Sequence, residues 1–92
     1  MAIRKFTKQP NDVIDYDFDY GDWLVSGDDL QSAAITIDAG ITLDSYSVSA
    51  DNVKVWISGG TDGETYLATC LATTEGGREK EAELKIRIRE ES

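Results

Sequence analysis

Residues 53–66, VKVWISGGTDGETY, restrict the fold more than any other stretch of the chain. Val53, Val55 and Ile57 alternate with Lys54 and Trp56, and that period of two marks a half-buried strand. Ser58-Gly59-Gly60-Thr61-Asp62-Gly63 follows and collects the residues that turn a chain. Gly59, Gly60 and Gly63 are free to take positive φ, and the Asp62 side chain can bond its own backbone. The apolar run resumes at Tyr66, so the stretch is predicted to be a strand, a glycine turn and a second strand.

The same period recurs on both sides. In VIDYDFDY, Ile14, Tyr16, Phe18 and Tyr20 share one face while Asp15, Asp17 and Asp19 share the other, which predicts a strand with an aromatic inner row. Trp23 and Leu24 are expected to anchor a corner of the core. Residues 30–38 form the next predicted strand, with Ala33, Ile35 and Ile37 on one face. Residues 41–49 change parity between Leu43 and Tyr46, which a bulge near Asp44 and Ser45 would reconcile. Residues 65–74 carry Tyr66, Ala68, Cys70 and Ala72 on one face and no strongly polar row on the other, as a central strand does. Tyr66, just past the glycine turn, stands where sandwich domains place a corner tyrosine whose hydroxyl bonds nearby backbone. Gly76 and Gly77 mark a hairpin turn. In residues 79–89 Ala82, Leu84, Ile86 and Ile88 alternate with charges; the alternation decides for strand although Glu, Lys and Ala favour helix. About six strands with turns every eight to twelve residues predict an all-β sandwich of six to seven strands. Residues 1–12 read as an extended, locally basic arm, and residues 13–92 as one sandwich domain.

Charge narrows the function. The chain has 92 residues, 18 acidic and 9 basic, for a formal net charge of −9. Phosphate binding needs Lys and Arg to displace counterions, so nucleic acid is not an expected partner, and the same argument opposes an anionic membrane surface. No run approaches the roughly 20 apolar residues of a membrane span, and the N-terminus lacks a signal-peptide pattern. The single Cys70 forms no internal disulfide and is expected as a small buried hydrophobe. The chain is therefore expected to be soluble and to fold in a reducing cytoplasm.

Catalytic chemistry is not visible in the residues. There is no His, so a Ser, Thr or Cys nucleophile lacks its usual base. Asp15-x-Asp17-x-Asp19 imitates the start of a calcium loop, but Tyr20 stands where the loop needs Gly and Ser26 where it needs the bidentate Glu. The glycine turn lacks the Lys of a phosphate loop. No catalytic, cofactor or metal residues are predicted, and the chain is not expected to be an enzyme.

With these pieces placed, their order resembles a family of small structural proteins from tailed phages and prophages, the fibre–tail adaptor or minor tail proteins. The matching residues are Lys8-Gln9-Pro10-Asn11-Asp12-Val13-Ile14-Asp15-Tyr16, Asp22-Trp23-Leu24 and Ile41-Thr42-Leu43 after Ala39-Gly40. They continue with Val53-Lys54-Val55-Trp56-Ile57-Ser58-Gly59-Gly60, Gly63, Tyr66, Thr73-Thr74, Gly77-Arg78 and the closing charged strand. The resemblance implies an immunoglobulin-like sandwich, a place in the virion after synthesis in the bacterial host cytoplasm, other virion proteins as partners and no enzymatic activity. Cys70 and the acidic run from Asp15 to Asp19 depart from the pattern. In a symmetric ring, Asp15, Asp17 and Asp19 of one copy would meet the basic Arg4, Lys5 and Lys8 of its neighbour. Trp56 points away from Val53, Val55 and Ile57, so it either packs under a loop or stands exposed as an interface anchor. The alternative is a carbohydrate-binding or adhesion module on the same fold, which would require Trp23, Trp56 and the tyrosines to be exposed together on one face.

Overall fold

The computed structural model describes residues 4–90, Arg4 by its backbone alone. Seven strands run in the order β1 (Arg4–Lys8), β2 (Ile14–Asp19), β3 (Leu30–Ile37), β4 (Ile41–Val48), β5 (Asn52–Gly59), β6 (Thr65–Thr74) and β7 (Glu79–Ile88). They form two sheets, β1-β7-β6-β3 and β2-β5-β4. All neighbours are antiparallel except β1 and β7. Three strands in the order β2-β5-β4, facing a sheet built on β3-β6-β7, is the partition of the immunoglobulin sandwich.

The core follows from the alternation. Tyr16, Phe18 and Tyr20 of β2 are buried, and so are Val53, Val55 and Ile57 of β5. From the other sheet come Ala68, Cys70 and Ala72 of β6 and Ala82, Leu84, Ile86 and Ile88 of β7. The aromatic row of β2 is thus balanced by small side chains on β6, while Leu84, Ile86 and Ile88 of β7 supply the bulk of the second sheet's share. The Tyr20 hydroxyl donates to the Cys70 carbonyl at 3.1 Å, which fixes the aromatic row directly over β6. The expected bulge in β4 is present: the register against β5 slips between Leu43 and Ser45.

Two expectations change. The basic N-terminal segment is extended, but within the described residues it is not a free arm. Residues 4–8 pair in parallel with residues 84–88 of β7 and cap the sheet, and Phe6 packs on Tyr16 with ring centroids 4.8 Å apart. Residues 1–3 lie outside the described residues. Lys8, expected on the surface, is 1% exposed. Its ammonium donates to the carbonyls of Gln9 at 2.6 Å, Gly59 at 2.7 Å and Pro10 at 3.4 Å. Burial draws its pKa below the usual lysine value, and Asp12 partly offsets the shift. Lys8 therefore fastens the β1–β2 crossover to the end of β5 and is not available to a partner.

The glycine turn behaves as its composition requires. Gly59, Gly60 and Gly63 all have positive φ, at 82°, 107° and 87°. The Thr61 amide donates to the Tyr66 hydroxyl at 3.1 Å, the bond expected of a corner tyrosine. At the opposite end Gly77 turns the β6–β7 hairpin with φ 89°. Gly76 has an ordinary φ, and its amide donates to Asp28 at 3.0 Å.

Candidate functional site

The charged side chains and Trp56 that the sequence singled out for an interface lie largely on the outer faces of the two sheets. The outer face of β2-β5-β4 is set by register. Asp15 lies opposite Trp56, Asp17 opposite Lys54 and Asp19 opposite Asn52. On the far side of β5, Ser45 lies opposite Trp56 and Ser47 opposite Lys54. Residues that face each other across an antiparallel pair share a side of the sheet. Trp56 thus rises from the central strand, between an aspartate row and a serine row, and is 40% exposed. Of the two outcomes that the sequence left open for it, the structure shows exposure.

The aspartate row is only partly compensated. Lys54 Nζ lies 3.5 Å from Asp15 Oδ2, with both side chains about two-fifths exposed, a geometry worth about 0–1 kcal/mol. Asn52 Nδ2 donates to Asp17 Oδ1 at 2.9 Å. Asp19 Oδ1 accepts from the Gly21 amide at 2.8 Å. Among the described residues no group of three His, Cys, Asp or Glu side chains is placed to hold a metal ion.

The outer face of β1-β7-β6-β3 differs. Along β7, Glu79, Glu81 and Glu83 give way to Lys85 and Arg87 on the same side. Lys5 of β1 lies beside Lys85, and Thr7 beside Arg87. Lys5, Phe6, Thr7, Thr65, Lys85 and Arg87 line a shallow open cleft of about 300 Å³. The one ion pair among the described residues is Lys54–Asp15, so none of these three cations has a carboxylate in contact. Sequence reasoning found Lys5 but missed the cluster, because residues 5 and 85 are joined only by the parallel pairing. The Arg4 side chain lies outside what is described.

The aromatic residues do not form a shared platform. Tyr16, Tyr20 and Tyr66 are in the core. Trp23 is half-buried in the β2–β3 loop, edge-on to Tyr20 and with the Arg78 guanidinium 4.2 Å from its ring centroid. Tyr46 is exposed, but it lies opposite Val55, on the other parity from Trp56. The arrangement that the sugar-binding alternative requires is therefore not met. Cys70 is fully buried, and burial pushes its thiol pKa up, while a Tyr20 hydrogen bond acts in the other direction.

Fold and faces together define a small immunoglobulin-like sandwich whose outer faces differ in charge, an aspartate row on one and glutamates giving way to Lys85 and Arg87 on the other. The chain belongs to the family described as Podophage GP4 fiber-tail adaptor protein gp77, whose model matches residues 8–87, from the last residue of β1 almost to the end of β7. It is a structural protein of the phage virion, as the order of sequence motifs had implied. No curated protein matches the chain.

Proposed function

We propose that this chain is a non-enzymatic adaptor at the joint of tail and fibre, made in the host cytoplasm and working through contacts with other virion proteins in a symmetric ring. The observation that carries this reading is Trp56. A large indole stands exposed on the central strand of the three-stranded sheet, flanked by Asp15, Lys54 and Ser45. Interface anchors have this form: an aromatic residue at the middle of a patch, with polar neighbours that close around it when water leaves. A free indole on a lone domain gains nothing from such exposure. Support for a non-enzymatic role is the absence of His from the chain and the burial of its one thiol.

Quantitative mass spectrometry of purified particles tests the reading. The chain is expected at a fixed copy number relative to the other tail proteins. Its absence from washed, intact particles would overturn the adaptor role.

A further inference from the structure

We infer that the cationic half of the four-stranded sheet, Lys5 with Lys85 and Arg87, is the docking surface for the acidic outer face of a second copy of this chain. The inference takes its setting from the adaptor reading above, but its argument is the placement of charge on this molecule.

The cluster is costly where it stands. Lys5 and Lys85 are side by side across a strand pair, and like charges so placed repel. The chain has twice as many acidic as basic residues, 18 against 9, yet no carboxylate reaches any of the three cations among the described residues. The glutamates that would neutralise them, Glu79, Glu81 and Glu83, occupy the other half of the same strand face. Cations left unpaired beside an open cleft in a strongly acidic protein await an external anion.

The matching anion is on the opposite side of the molecule. Lys85, Arg87 and the exposed Arg89 recur at every second residue. Asp15, Asp17 and Asp19 recur at every second residue on β2. Both rows therefore repeat at about 6.5–7 Å, so one strand laid along the other keeps its charges in step. Side-chain lengths also fit: stacked sheets sit about 10 Å apart, and the long cations span what the short aspartates leave open. Beside the rows, exposed Trp56 lies next to Asp15, and half-buried Leu67 lies next to Lys85, so each face adds an apolar group at the flank of its charges. The two faces are on opposite sides of the sandwich, so neither can satisfy the other within one molecule. The contact is head-to-tail, the type that closes into rings when its rotation permits.

Sedimentation of the purified full chain over a range of concentration and salt tests this. Association is expected to be strongest near about 0.1 M salt, where a Debye length of about 10 Å screens the net charge but not contact pairs, and to vanish near about 1 M. Arg87→Glu alone and Asp17→Lys alone should each weaken association at least about tenfold, because the middle residues of the two rows oppose each other whichever way the strands run. Both side chains are on outer faces, apart from the core, and Asp17 accepts from the Asn52 side-chain amide, an exchange confined to the same outer face. Circular dichroism confirms that each variant is folded. The chain carrying both changes should recover association, since the swapped charges again oppose across the contact. A chain that stays monomeric at every concentration and salt overturns the inference. So does association that ignores both reversals or is not restored by the swap. Either result leaves the adaptor role standing if the chain is still counted in the particle; absence from the particle fails that role without touching the sedimentation result.

Discussion

Replacing Gly60 with alanine puts a methyl group where the β5–β6 turn has no room. At Gly60 φ is 107°, and a Cβ would lie 2.6 Å from Ile88 Cγ1 and 2.7 Å from its Cδ1. Ile88 is fully buried and cannot swing aside. Two costs add: about 1–3 kcal/mol for an L side chain in this backbone region, and about 1–3 kcal/mol for overpacking a closed core. Gly63 supplies the control. Its φ is 87°, but a Cβ there meets nothing within 4 Å, so Gly63→Ala carries the backbone cost alone. The difference between the two variants isolates the packing of Ile88 under the turn. Urea unfolding of both should place Gly60→Ala about 1–3 kcal/mol below Gly63→Ala, and thermal unfolding at least about 4 °C lower for a domain of this size. Equal losses in the two variants would refute the close approach of turn and strand that positions Tyr66.

Three further outcomes follow from particular contacts. Burial, with the bond to Cys70, raises the pKa of Tyr20, and burial also raises that of Tyr16. The unfolded chain then loses these protons near pH 10 while the native one keeps them, so stability should be whole below about pH 10 and fall above it. Tyr20→Phe should soften that alkaline fall and cost about 1–2 kcal/mol at neutral pH, read by urea unfolding across pH. The Asp28 carboxyl is held below its usual pKa, first by the Thr74 hydroxyl and then by the Gly76 and Asp29 amides and Arg78. Its contribution is present above the ordinary carboxylate range and is lost as pH falls through the lowered value, so Asp28→Asn should flatten the acid limb of the same stability profile. Trp56→Ser should change stability by no more than about 1 kcal/mol, because the indole is part-exposed and flanked by polar residues. The same substitution should sharply reduce the copies of this chain in assembled particles, counted by mass spectrometry.

What the sequence made legible was whatever a local period encodes. The parity of Tyr16, Phe18 and Tyr20, the inward row of β7 and the parity change that announced the β4 bulge all lie within single strands. The corner role of Tyr66 was equally local, since its partner Thr61 is five residues away. Non-local pairings were not legible. Five residues rich in cations and holding one Phe do not announce a strand, and β1 exists because β7 offers it an edge. The burial of Lys8 was hidden for a related reason. A lysine is almost always exposed unless partnered, and its partner Gly59 is fifty-one residues distant. The cationic cluster, which joins residue 5 to residues 85 and 87, had the same cause. Trp56 stood between two outcomes in the sequence, because alternation states which side a residue faces and not what covers that side.

The most direct test of the account is a reconstruction of the tail–fibre joint in intact particles. Copies of this sandwich are predicted around the tail axis, each with the Trp56 face buried against another protein chain. A joint without this chain, or one in which every Trp56 face looks onto solvent, would contradict it.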